Sequence, residues 1–213
     1  MNSIPGRFHY MGQANLYIIA ILLMSFWPTT AQNTLKKEIN AEVNALQING
    51  DQIFTIDIKT ADTNSIYMEA VIEGEYKDGL VLVAEVEGDN LNIDLVKSPL
   101  FKDANDKLSA HKVIAAKLSI TLPKHKTINL VSDIANVMMH GQYKALQMKL
   151  ARGSFDATAT VESAVIDCID GNIKVQTEFT SKVTEDKSQL IKVNERTVWK
   201  LNTKFGRILV RKQ

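Results

Sequence analysis

Four carboxylates have a spacing that could do chemistry. Asp156, Asp167, Asp170 and Glu178 stand on the polar phases of successive apolar-alternating runs. Two acids on one exposed sheet face can approach to the roughly 5 to 10 Å at which a glycosidase pair works. Lys149 and Lys174 share those exposed phases, however, and no cluster of aromatic residues stands beside them to stack on a sugar ring. A charged, solvated strand face accounts for the pattern better. The histidines point the same way. His125 lies between Lys124 and Lys126, and His111 lies beside Lys112, which disfavours a metal ion at either; His140 runs into Gly141 at a strand end. Cys168 is the single cysteine, which excludes an internal disulfide, and it shares the phase of Ile166 as a buried structural thiol would. The chain holds no nucleotide-binding glycine loop, zinc-type Cys/His spacing, Gly-x-Ser-x-Gly elbow or EF-hand loop. It therefore reads as a non-enzyme, with no catalytic, cofactor-binding or metal-ligating residue assigned and no cofactor expected.

Those residues ride on runs that alternate apolar and polar side chains. Leu118, Ile120 and Leu122; Ile128 and Leu130; Val137 and Met139; Leu146, Met148 and Leu150; Phe155, Ala157, Ala159 and Val161; Val165 or Ile166 and Cys168; Ile173 and Val175 each keep a period of two. Successive side chains of a pleated strand leave opposite faces, so these runs predict separate strands of about four to six residues. The runs also repeat. Gly153-Ser154-Phe155-Asp156-Ala157 and Gly171-Asn172-Ile173-Lys174-Val175 stand eighteen residues apart, and Asp133 precedes the first by twenty. A period of about twenty with one turn signal per repeat is what stacked coils leave in a sequence, because each coil buries its inner face only against its neighbours. Glycine suits such corners, where a positive φ costs it little. The expected fold class is all-β: a right-handed β-solenoid-like stack of short strands with an N-terminal antiparallel β-meander. An antiparallel sandwich, which also has many short strands, is the alternative. The apolar phase kept from run to run, and the lack of an Asn-Gly dipeptide between the runs, favour the stack.

Residues Met1 to Ala31 have the layout of an export signal: Arg7, the apolar run Leu16 to Trp27, then the small residues Thr29-Thr30-Ala31 before Gln32. The run is short for a bilayer span and Pro28 closes it, with an uncleaved anchor as the alternative. No cysteine follows it to carry a lipid. Residues 32–213 then form a single all-β domain, its meander part at 32–112 and its solenoid part at 113–213, with no integral membrane span in the mature chain. Leu35, Ile39, Val43 and Leu46 fit a helical face, yet Ile39, Ala41 and Val43 alternate; an edge strand that starts the sheet is preferred. Strands follow around Ile56, Met68, Leu82 and Ile93, with tight hairpins expected at Lys77-Asp78-Gly79 and Glu87-Gly88-Asp89-Asn90. Ser98 to Lys112 reads as the longest loop, and Thr180 to Gln189 as another polar stretch before the closing strands. Arg207, Arg211 and Lys212 protect the terminal strand from pairing with another molecule.

Arg7 is the only charged residue before Gln32, so 24 basic and 24 acidic residues follow it. Such a balance supplies neither the basic stripe that nucleic acid requires nor attraction to an anionic membrane surface. Taken together, the signal ending in Ala31-Gln32, the segment from Leu46-Gln47-Ile48 through Val71-Ile72-Glu73-Gly74-Glu75-Tyr76, the strand Leu118-Ser119-Ile120-Thr121-Leu122-Pro123 and the coils after it resemble the putative adhesin family of bacterial envelopes, in its Bacteroidetes form. That resemblance implies adhesion to an envelope or surface ligand, glycan or protein, and carries over no catalytic residue. This copy departs from regular members in having few glycines in its coils. The function expected is an exported, non-catalytic envelope or cell-surface module located in the periplasm or on the cell surface. Two alternatives stand beside it, a periplasmic accessory of envelope signalling and a glycan-acting enzyme on the same scaffold.

Overall fold

The computed structural model describes residues 32–74, 77–101, 115–185, 187–194 and 197–212. The expected export signal, His111 and all of the expected 98–112 loop beyond Phe101 lie outside the described residues. Alternation is the dominant local signal, and strands are what forms. They are β1 (Gln32–Ile39), β2 (Ala45–Asn49), β3 (Thr55–Ala61), β4 (Ile66–Glu73), β5 (Leu80–Glu87), β6 (Asn90–Lys97), β7 (Ala115–Pro123) and β8 (Thr127–Ser132), followed by β9 (Asn136–Arg152), β10 (Phe155–Asp170), β11 (Ile173–Thr177), β12 (Ser181–Glu185), β13 (Ser188–Lys192), β14 (Val198–Phe205) and β15 (Ile208–Lys212). A single 3-10 turn, Lys77–Gly79, is the only helical element among the described residues. The protein is all-β.

Two parallel ladders organise the strands. The first runs β7-β3-β9-β10-β11-β15 and the second runs β6-β2-β8-β9-β10-β14. Parallel pairing throughout rules out the antiparallel sandwich. β9 and β10 belong to both ladders. Asn136 to His140 pair with β3 while Ala145 to Leu150 pair with β8, and Phe155 to Thr158 pair with β11 while Ser163 to Asp170 pair with β14. The sequence predicts separate short strands at these places, yet each is one continuous strand of 17 or 16 residues. The apolar phase slips by one at each bend, from Tyr143 to Leu146 in β9 and from Val161 to Ala164 in β10. Because a slip of one residue exchanges the two faces of a strand, the slip keeps the apolar set inward as the chain passes between ladders.

Register then stacks like on like. Leu118, Ile56, Val137, Phe155 and Ile173 are successive partners across the first ladder, as are Leu46, Ile128, Leu146, Ala164 and Trp199 across the second, and all are buried. Each large side chain so placed contributes about 1.5 to 3 kcal/mol of transfer free energy. Ile128, Leu146 and Ala164 stand eighteen residues apart, as do Val137, Phe155 and Ile173, which is the spacing of the Gly153 and Gly171 copies. The hairpin of β12 and β13 lengthens the next interval. Gly153 has a φ of 121°, and a Cβ there would collide with the carbonyl of Ala135 in the preceding corner, so both conformation and close approach require glycine.

The N-terminal part differs from the expected meander. β2 and β3 have only parallel partners and lie inside the ladders. Antiparallel pairing is confined to the ends, where β4 joins β7, β1 joins β4 and β5 joins β6. Local alternation specifies a strand but not its partner, which is why long-range parallel pairing of β2 and β3 is invisible in their own residues. Glu87 to Asn90 does form the expected β5–β6 hairpin turn, with Gly88 at a φ of 58°. Lys77-Asp78-Gly79 makes no hairpin; it is the 3-10 turn between β4 and β5, which do not pair. β1 is the preferred edge strand, ending at Ile39. The polar stretch from Thr180 to Gln189 contributes β12 and the start of β13, which extend the sheet antiparallel from β14.

Candidate functional site

The residues between the core rows point outward, and register aligns them into rows of their own. One row crosses the first ladder and its end strands as Lys36, Glu69, Ser119, Asp57, Met138, Asp156 and Lys174. Its neighbour runs Glu38, Tyr67, Thr121, Lys59, His140 and Thr158.

The four carboxylates do not share one row. Asp156 lies on the first ladder, and Lys174 on the adjacent strand stands 3.8 Å from it with both side chains at least half exposed. Such a pair contributes little to stability. Asp167 lies on the second ladder, where it accepts a hydrogen bond from Asn202 Nδ2 at 2.7 Å. Asn202 Oδ1 in turn accepts from Ser188 Oγ at 2.7 Å, so a chain of three side chains ties β10, β14 and β13 together. Asp170 is exposed at the end of β10, and Glu178 is exposed just past β11. The bend of β10 separates Asp156 from Asp167 and Asp170, because residues on either side of it belong to different ladders.

His125 is exposed in the turn between β7 and β8 with a φ of 62°. His140 is exposed and has Lys59 and Thr158 as its register partners. Among the described residues no three His, Cys, Asp or Glu side chains gather closely enough to hold a metal ion. Cys168 is buried, its Sγ 3.7 Å from the carbonyl of Gly153, and burial, with Asp170 nearby, pushes the thiol above its ordinary pKa. Tyr143 is buried at the bend of β9, with its hydroxyl 2.8 Å from the Ile58 carbonyl and 2.9 Å from that of His140. Burial pushes its pKa well above the ordinary phenol value. The hydroxyl serves as a fixed donor that joins β3 to the bend.

An open groove of about 620 Å³ lies on the outer side of β1, β4, β7 and β3. Tyr67, 45% exposed, rises from it between Lys59, Asp57, Ser119 and Thr121. Sequence reasoning did not single out Tyr67. The alternation of Ile66, Met68 and Ala70 places Tyr67 outward, but the order β4-β7-β3 that brings Asp57 and Lys59 beside it is a long-range pairing. Among the described residues no helix is long and apolar enough to cross a membrane.

No known family pattern matches the sequence, and no curated protein does. Among solved structures, a putative cell adhesion protein from Clostridium sporogenes aligns with a TM-score of 0.56 at 12% identity, over 85% of this chain and 100% of that one. Putative adhesins from Parabacteroides merdae and Bacteroides fragilis overlap less well. The first has a TM-score of 0.30 at 10% identity over 70% of this chain and 83% of its own. The second has 0.34 at 9% identity over 84% of this chain and 95% of its own. What this chain shares with the Clostridium protein is the fold, and it is a fold on which a protein named for adhesion is built.

Proposed function

We propose that residues 32–213 act as one exported, non-catalytic module that binds an envelope or cell-surface ligand, glycan or protein, through its outward rows. The observation that carries this reading is the register. Parallel pairing fixes polar and charged side chains in straight rows across the ladders while the buried rows hold the backbone rigid beneath them. A preorganised surface of this kind binds without the cost of ordering loops. The ladders are taken to be successive coils of a right-handed β-solenoid, since connections between parallel strands of one sheet are right-handed in nearly all cases. The likeness of fold to the Clostridium adhesion protein supports the role. The signal-like layout of Met1 to Ala31 supports export. Against catalysis, Asp156 and Asp167 lie on different ladders, Asp156 beside Lys174 and Asp167 bonded by Asn202.

Deleting the gene and measuring attachment of cells to glycoprotein-coated surfaces tests this reading. Attachment is expected to fall and to return when the full chain is re-expressed. Attachment unchanged by deletion contradicts it.

A further inference from the structure

The groove on β1, β4, β7 and β3 sets one exposed aromatic ring among charged and hydroxyl-bearing side chains. Tyr67 is its only aromatic side chain among the described residues, and the ring is half exposed although the strand beneath it is paired on both sides. An aromatic ring kept in water on a rigid strand offers a flat apolar face that nothing in the fold uses. Around it the outward face carries Lys36 and Lys59 with three acids, Glu38, Asp57 and Glu69, while Lys37 stands in the opposite, inward-facing row with Met68, so the groove has no net positive charge. Lys36 and Glu69 satisfy one another at 3.5 Å. Asp57 and Lys59 make no hydrogen bond or ion pair among the described residues, which leaves an acceptor and a donor open on β3, two strands from the ring. Strands about 4.8 Å apart, with alternate residues about 6.6 Å apart along each, put the Cα atoms of Asp57 and Lys59 within about 12 Å of that of Tyr67. Ser119 and Thr121 on β7 fill the interval with hydroxyls.

We infer that this groove is a subsite for a neutral oligosaccharide, with Tyr67 as the stacking platform and Asp57 and Lys59 as the groups that read its hydroxyls. A sugar ring has an apolar C–H face that suits the tyrosine. Its hydroxyls both donate, to the Asp57 carboxylate, and accept, from the Lys59 ammonium. A phosphate or sulfate would meet Asp57 and Glu38 with no net positive field to offset them. The inference rests on the binding-module reading and gives it a place and a ligand class. Binding by the purified full chain reports on the groove alone, whereas attachment of cells reports on the module reading, so either can fail without the other.

The test is an array of neutral oligosaccharides built on glucose, galactose, mannose and N-acetylglucosamine, followed by calorimetric titration of the strongest binder. Tyr67→Ala is expected to weaken binding about tenfold while Tyr67→Phe retains it. Asp57→Asn and Lys59→Met are each expected to weaken it, and Lys182→Ala on the remote strand β12 to leave it unchanged, all with unaltered melting temperature. Three results would overturn the inference: no neutral oligosaccharide on the array binds, a sulfated or phosphorylated sugar binds more tightly than its neutral parent, or a folded Tyr67→Ala chain binds like the parent.

Discussion

Tyr143 shows how a single polar group can hold a bend. The chain leaves one ladder for the other just past this residue, and the single proton of its buried hydroxyl is shared between the carbonyls of Ile58 and His140 there. Tyr143→Phe keeps the ring but leaves the Ile58 carbonyl buried without that donor, a loss of about 1 to 3 kcal/mol. Chemical denaturation should show a midpoint lowered accordingly, while Asp156→Ala, which removes only an exposed ion pair, should fall within about 0.5 kcal/mol of the parent. If the two variants are equally stable, the tyrosine is not anchoring the bend. The inward position of Cys168 is legible in the sequence, because its phase with Ile166 is a local property. The hydroxyl of Tyr143 is not, since its partner Ile58 lies 85 residues away.

Strand phase at the element scale was almost wholly legible. Ile56, Ile58, Leu118, Ile120, Val137, Met139, Phe155, Ile173 and Val175 are inward as alternation requires; Phe54, in phase with Ile56 and Ile58, is the exception, exposed while Ile53 beside it is buried. Ile173→Asp would set an unpaired carboxylate between Phe155 and the next strand in a fully buried row, at a cost of several kcal/mol. Thermal unfolding should lose its cooperative transition near the parent temperature; a melt superposable on the parent's would mean that the phase of β11 is wrong. Pairing was far less legible than phase. Nothing in Thr55 to Ala61 announces that β3 lies between β7 and β9, because both partners come from beyond residue 114. The eighteen-residue interval was readable only where successive parallel partners follow one another directly in the chain, and the β12–β13 insertion hides the last one. Tyr67 is the same lesson at a site: outward by phase, but given its neighbours by topology.

For the whole molecule, the ends of the ladders explain where the charges stand. Among the described residues β15 has only β11 as a partner, and Arg207, Arg211 and Lys212 are exposed on or beside it, as expected of a strand that must not recruit another chain. Beyond the opposite end of the first ladder, β4 and then β1 continue the sheet antiparallel from β7, and the outermost strand β1 carries Lys36 and Lys37. Between these ends the outward rows mix both signs, in keeping with the 24 basic and 24 acidic residues that follow Arg7. A surface of that kind suits short-range recognition by shape and hydrogen bonds rather than long-range electrostatic capture. The binding role proposed above requires that the ligand reach the chain. Protease shaving of intact cells, with blotting for this protein beside a known periplasmic control, tests that most directly. The account predicts that the chain is cleaved while the control survives; protection of the chain until the outer membrane is opened would contradict it.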